Sequence, residues 1–364
     1  MKKTLLATAI AGALGVSAAA QAATVYDQDG TRLDLYGRIA MGIQGGGSDT
    51  KVVNEGETDE RIEKAGGSEF VNIGSRFGLR GSQQITSDLS AYGRAEFRFN
   101  GDEVNRDAMQ VRNSYLGLKS NQMGSLQAGN FDNFYLNTVG APFDVYVVNG
   151  YEFAGGGTGA KGQGDSIGYI SPNLEGFQVY LMGKHYTGNE QIAGSDGSNS
   201  STIETAGGAV YEVDALRLAL GYAEDKDSPN VADGSGEVIY GGSAQFAFTP
   251  EFSARLGYET QSDNEDKLGL GFTYGIDAWK VYADYYHVSA NGDNKEALQA
   301  QDASTSRNSW SIGTQYNVSS NFQVFAEVNE EDQPSITIGG GETADELRSI
   351  RDSVYWVTGA RYFF

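Results

Sequence analysis

The chain reads as all-β: a 16-stranded antiparallel transmembrane β-barrel with an inward-folded third loop. Three observations predict this. Segments from Leu33 to the end alternate apolar and polar residues with period 2, short turns alternate with long polar loops between them, and the last strand ends on an aromatic residue. In that last strand Phe364, Tyr362, Ala360, Thr358 and Trp356 share one face, and Phe363, Arg361, Gly359, Val357 and Tyr355 the other. One face suits lipid and the other something wetter. A soluble edge strand built this way would invite aggregation.

The predicted strands lie near 33–43, 70–81, 88–99, 109–119, 124–130, 165–172, 175–186, 202–212, 215–224, 237–249, 251–260, 267–276, 278–289, 308–317, 321–330 and 353–364. Turn chemistry marks the short connections, as at Ser171-Pro172-Asn173, Thr249-Pro250 and Gly275 to Ala278. The long connections are 44–69, 100–108, 131–164, 187–201, 225–236, 290–307 and 331–352; 261–266 is short where a long one is due. An even strand number puts both termini on the short-turn side.

Alternation is cleanest in two segments. In 33–41 Leu33, Leu35, Gly37, Ile39 and Met41 alternate with Asp34, Tyr36, Arg38 and Ala40. In 89–99 Leu89, Ala91, Gly93, Ala95, Phe97 and Phe99 alternate with Tyr92, Arg94, Glu96 and Arg98. The charged set must line the lumen, because an Arg facing the bilayer midplane costs about 2–4 kcal/mol. A soluble β-sandwich with a charged outer face gives the same alternation. It gives neither the loop rhythm nor the terminal aromatic, and it has no need of the leader at the other end.

That leader has a basic start at Lys2 and Lys3, an apolar stretch from Leu5 to Val16 and a small-residue cleavage box, Ala20-Gln21-Ala22. Residues 1–22 read as a signal peptide and 23–364 as one barrel domain. No later apolar run is long enough for a transmembrane helix. Mean hydropathy is −0.40, as expected where only alternate residues meet lipid. Gly 50, Tyr 21 and Phe 17 against Pro 5 describe a glycine- and aromatic-rich β protein. With Cys 0 there is neither disulfide nor thiolate ligand, and the two histidines leave little for a metal or cofactor site, so none is expected. His185 and His287 each end a strand beside a tyrosine and read as interfacial girdle residues. A net charge of −22 argues against a nucleic-acid partner.

Four basic residues stand out: Arg38, Arg76 and Arg112 on three early strands, and Lys161 just before the sixth. Strands lie about 4.8 Å apart, so such a ladder persists only with water, counter-charge or a use for the field. Local pairing with Asp34 or Glu96 is the plain alternative. The longest connection, 131–164, is rich in aromatic and aliphatic residues and carries Asp132, Asp144 and Glu152. Long loops in compact folds tend to be functional. One so apolar must pack on something, either the inner barrel wall, with Glu152 across from the arginines, or a neighbouring subunit.

Thr24 to Gly42, TVYDQDGTRLDLYGRIAMG, resembles the first strand of Gram-negative general diffusion porins. Ser75 to Asn100 is similar to their second hairpin, Val111 to Asn130 to the next, and Tyr151 to Gly156, YEFAGG, to the PEFGG element of their constriction loop. The resemblance implies a homotrimer in outer-membrane lipid and lipopolysaccharide, its third loop forming an eyelet passed by ions and small hydrophilic solutes. It places the basic wall on Arg38, Arg76, Arg112 and Lys161 and the loop acid on Glu152, with Asp144 nearby. It makes Phe364 the signal read by the barrel-assembly machinery. Tyr151 stands where the family has proline and Ala154 where it has glycine. A mildly cation-preferring diffusion channel is the expectation. The alternative is an outer-membrane channel selective for a sugar or one ion. An enzyme on the same scaffold would need a nucleophile placed by a histidine or paired carboxylates, and neither histidine lies in such a cluster.

Overall fold

A computed structural model describes residues 22–46, 50–53, 61–64, 68–102, 109–148, 150–153, 164–186, 202–224, 237–300, 304–331 and 353–364. The leader, apart from Ala22, and Lys161 lie outside the described residues. The strands are β1 (Ala23–Gln28), β2 (Thr31–Gly46), β3 (Thr50–Val53), β4 (Arg61–Lys64), β5 (Ser68–Asn72), β6 (Arg76–Gln84), β7 (Leu89–Phe99), β8 (Met109–Ser120), β9 (Gly124–Asn130) and β10 (Ser166–Ile170). They continue with β11 (Phe177–Tyr186), β12 (Thr202–Val213), β13 (Leu216–Glu224), β14 (Val238–Ala247), β15 (Phe252–Gln261), β16 (Glu265–Ile276), β17 (Trp279–Ala290), β18 (Ser306–Asn317), β19 (Phe322–Glu331) and β20 (Ser353–Phe363).

Neighbours in the chain pair antiparallel all the way round, and β2 pairs with β20 to close the ring. One edge of β2 meets β6 and β5 in succession; the other meets β1 and then β20. Counting each of those two pairs as one stave gives a closed barrel of sixteen. Closure leaves no unpaired edge, which is what a sheet in lipid requires.

The expected strands all occur, with two refinements. The second is broken at Ile73 to Ser75, where Gly74 takes φ +69. The N-terminal strand Ala23–Gln28 was not expected. It folds back on β2 through Asp29 and Gly30, both at positive φ, the turn chemistry of a tight hairpin. The seam is closed by the last residue: Gly37 N–H donates to the Phe364 carbonyl at 2.8 Å and Phe364 N–H to the Gly37 carbonyl at 3.1 Å. In the 290–307 connection, expected as a polar loop, Gly292–Ala300 forms a helix, α1. Its sequence holds good helix formers, and Asp263 Oδ1 accepts the Asp293 N–H at 3.3 Å at its start.

The two faces of the staves differ as the alternation requires. Leu116, Leu220 and Leu270 lie outward and exposed, while Arg255, Asp284 and Glu327 lie inward and buried. Much of that inner burial comes from the 131–153 segment. Phe131, Phe134, Tyr135 and Val139 pack on Met182, Ala206, Ala223 and Ile239 of β11 to β14. Phe143 and Phe153 pack on Tyr286, with the two phenylalanine centroids 4.6 Å apart, and Val145 and Tyr146 pack on Tyr282. The loop therefore lies along the inner wall.

Inward glycines give the loop its seats. A Cβ on Gly257 would lie 2.8 Å from the rings of both Phe143 and Phe153, and one on Gly241 would collide with the Tyr135 hydroxyl. Gly241→Val should therefore unseat Tyr135 at a cost of about 1–3 kcal/mol, typical of overpacking. Urea unfolding of the refolded barrel checks this; an unchanged midpoint would mean that the loop does not rest on the wall at this point.

Candidate pore constriction

The basic wall is built by strand register. Arg38 on β2 pairs with Arg76 on β6, which pairs with Arg98 on β7. Arg112 joins them through an irregularity. Glu96 pairs with Asn113 and Phe97 with Val111, so Arg112 is the extra residue of a β-bulge. The bulge also breaks the period-2 alternation of residues 111–118. Arg112 Nη1 reaches Glu96 at 2.8 Å and its Nη2 reaches Asp132 at 3.3 Å.

Glu96 is the counter-charge beneath this wall. It is fully buried, accepts Tyr36 Oη at 2.8 Å, and forms ion pairs with Arg94, Arg112 and, at 3.7 Å, Arg76. One carboxylate under several guanidinium groups leaves the wall net positive. Arg38 donates its Nε to the Gly74 carbonyl at 3.0 Å. Arg361 of β20 lies close enough for its charge to act on Arg38. Arg98 and Arg361 were legible as inward by parity, yet neither was singled out by motif.

Glu152 does not face this wall. It is 8% exposed and accepts two hydrogen bonds from Arg307, at 2.6 and 2.9 Å, and one from Ser309 at 2.8 Å. Lys267 donates to the Glu152 carbonyl at 3.1 Å and pairs with Glu259 and Glu265 at 3.0 Å. The eyelet expectation for Glu152 is corrected by these contacts: basic residues on β16 and β18 draw its carboxylate to their own part of the inner wall. There it acts as an anchor, together with Glu327, which accepts Val147 N–H at 2.6 Å and Val148 N–H at 3.1 Å. Tyr135 Oη to Glu259 at 2.8 Å and Arg217 Nη2 to the Thr138 carbonyl at 2.8 Å hold the preceding turn.

Asp144 remains exposed on this anchored loop, in the field of Arg112, Arg76 and Arg38. A polar pocket of about 620 Å³ lies beside it on the short-turn side of the loop. Arg98, Arg112, Asp132, Asp144, Tyr151 and Arg217 are among its lining residues. Among the described residues, no group of three or more His, Cys, Asp or Glu is arranged to hold a metal. Both histidines are exposed, and His287 bonds Asn308 at 2.9 Å.

The two loop acids titrate in opposite senses. The protein mass around Asp144, and then the Asp132 charge, push its carboxyl above the ordinary aspartate range, against the pull of the arginines. For Glu152, burial alone would raise the carboxyl, but the Arg307 hydrogen bonds and charge, then Lys267, hold it below its ordinary range. On acidification Asp144 is therefore neutralised above the ordinary aspartate range, while Arg307 keeps Glu152 charged to below the ordinary glutamate range. The reversal potential in a KCl gradient should lose cation preference at a pH above the ordinary aspartate value of about 3.9. Asp144→Asn should abolish that step, and its persistence would assign it to another group.

A family model described as Gram-negative porin matches residues 7–335. A monosaccharide porin of a Halomonas species is 33% identical over 316 residues, 80% of this chain and 81% of that one. Outer membrane porin F of Escherichia coli K12 is 26% identical over 339 residues, 79% of this chain and 89% of that one. Among solved structures, Salmonella typhi OmpF in complex with daunomycin superposes with a TM-score of 0.69 at 17% identity, covering 94% of this chain and 100% of that one. An anion-selective porin from Comamonas acidovorans gives 0.65 at 18%, covering 92% and 100%. The structural likenesses carry the fold; the family match and the 33% relative carry the family. The chain belongs to the Gram-negative porins and is an outer-membrane diffusion channel.

Proposed function

We propose that this chain forms a water-filled passage for ions and small hydrophilic solutes, mildly cation-preferring, constricted between the row Arg38, Arg76, Arg98 and Arg112 and the loop acids Asp144 and Asp132. The observation that carries this reading is the exposed Asp144 on a loop anchored to β16, β18 and β19, within the field of the arginines. Opposite charges across a narrow lumen orient water and polar solutes, so apolar solutes must displace ordered water and are disfavoured. The net charge of −22 raises the local cation concentration and offsets the arginine row, and salt screens that excess over about 10 Å at 0.1 M. Lys161 joins the basic wall in this reading.

The working unit is a homotrimer. Its support is the apolar outer face of the early strands, where Ile39, Leu79, Val111 and Leu116 lie exposed and Phe77 stacks near Phe97 at 5.7 Å. Outer-membrane lipid and lipopolysaccharide cover the rest. The leader ends at Ala22, and the barrel-assembly machinery reads Phe364.

Arg76→Ala should raise conductance and strengthen cation preference. Asp144→Asn, nearly isosteric, should weaken cation preference with little change in conductance. Glu152→Gln should leave the reversal potential almost where it was. Single-channel recording under a salt gradient measures all three, and shifts of the same sign from Arg76→Ala and Asp144→Asn would refute a shared constriction.

A further inference from the structure

We propose that the pocket beside the constriction loop is a saccharide subsite, where a neutral pyranose ring pauses in transit. This rests on the reading that solutes cross the lumen at this loop. The pocket volume of about 620 Å³ falls within the usual range of small-ligand sites, about 300–1,000 Å³.

Its charges select a neutral guest. Three cations, Arg98, Arg112 and Arg217, share the lining with three carboxylates, Asp132, Asp144 and Glu212, and two of these pair directly, Arg112 with Asp132 and Arg217 with Glu212. An anion gains from the first set and is repelled by the second; a cation meets the reverse. A sugar hydroxyl both donates and accepts, so adjacent hydroxyls satisfy a carboxylate and a guanidinium fork together.

Two donors in this lining lack protein partners. Arg217 is 3% exposed and gives Nε to Glu212 and Nη2 to the Thr138 and Asn137 carbonyls, which leaves Nη1 unpartnered. Arg112 gives Nη1 to Glu96 and Nη2 to Asp132, which leaves Nε unpartnered. Buried N–H groups left this way are costly, so a small shift of either guanidinium toward an acceptor in the pocket would be favourable.

Tyr151 and Tyr180 complete the lining with aromatic carbon suited to the C–H side of a pyranose. The Tyr180 ring is set edge-on to Phe134 at 5.8 Å. Binding must stay weak for transport to continue.

The test titrates the KCl current of the purified full-length protein in planar bilayers with D-glucose. Polyethylene glycol of similar hydrodynamic size controls for bulk and viscosity, and inorganic phosphate serves as an anionic probe. Glucose should reduce the current saturably with a half-saturating concentration in the millimolar range, and the polymer should not saturate. Tyr151→Ala should raise that concentration about three- to tenfold, the worth of one aromatic contact, and Tyr151→Phe should restore it. A glucose response indistinguishable from the polymer's overturns the proposal, as does saturable block by phosphate alone. In the same bilayers the Asp144→Asn reversal potential separates the two failures. If it shifts while glucose fails, the constriction stands and the subsite falls; if it does not shift, the constriction reading falls as well.

Discussion

Closure of the strand ladder is the constraint on which everything else depends. Because β20 and β1 together seal against β2, no backbone edge is left for lipid, and each stave must send one side-chain set outward and the other inward. The inward set then faces a choice between water and protein. On β2, β6, β7 and β8 it meets water and its own counter-charges, and the wall is basic. On β11 to β19 it meets the loop. The glycines of that half, such as Gly241 and Gly257, let aromatic side chains approach the sheet closely, while Glu259, Lys267, Arg307 and Glu327 fix the loop by hydrogen bonds. A passage off the barrel axis follows from this division of the inner surface.

Electrostatics decides which loop acid is available to the passage. Two unit charges 4 Å apart interact by about 4 kcal/mol at an effective dielectric of 20. Glu152 spends its charge on Arg307 and is neutralised locally. Asp144 has no such close partner among the described ion pairs, and it stays exposed where the arginines act on it. Removing one member of a buried pair such as Glu152 and Arg307 costs about 3–5 kcal/mol, so the anchor is stiff. A stiff anchor allows a side chain of modest size to set a narrow opening.

The fold was legible in the sequence because period 2 recurs in most staves, and the turn residues separate one stave from the next. The hairpin at Ala23–Gln28 was missed although Asp29-Gly30 is a strong turn signal, because its strand is short and its face does not alternate. The helix Gly292–Ala300 was missed because a polar loop and an exposed helix share a composition. The basic wall was largely readable: Arg38 and Arg76 from parity, Arg98 from parity though not from motif, and Arg112 only by motif, since a bulge interrupts its register. Of the two loop acids named from sequence, Asp144 stays exposed and Glu152 is turned away for a physical reason. Motif similarity fixes Glu152 in sequence, but the direction of its side chain depends on Arg307 and Lys267, more than a hundred residues away, and nothing local announces them.

The central claim is that the loop covers one inner wall and offers Asp144 to the lumen. Cysteine accessibility tests it most directly, because the chain has Cys 0 and gives a clean background. Asp144→Cys and Ser309→Cys would each be exposed to a small cationic thiol reagent during planar-bilayer recording. Ser309 is 4% exposed and lies under Glu152, and the change to Cys is nearly isosteric. The account predicts stepwise current changes for Asp144→Cys and no reaction for Ser309→Cys over the same time. Rapid reaction and block at Ser309→Cys, with Asp144→Cys silent, would place the loop away from that wall and contradict it.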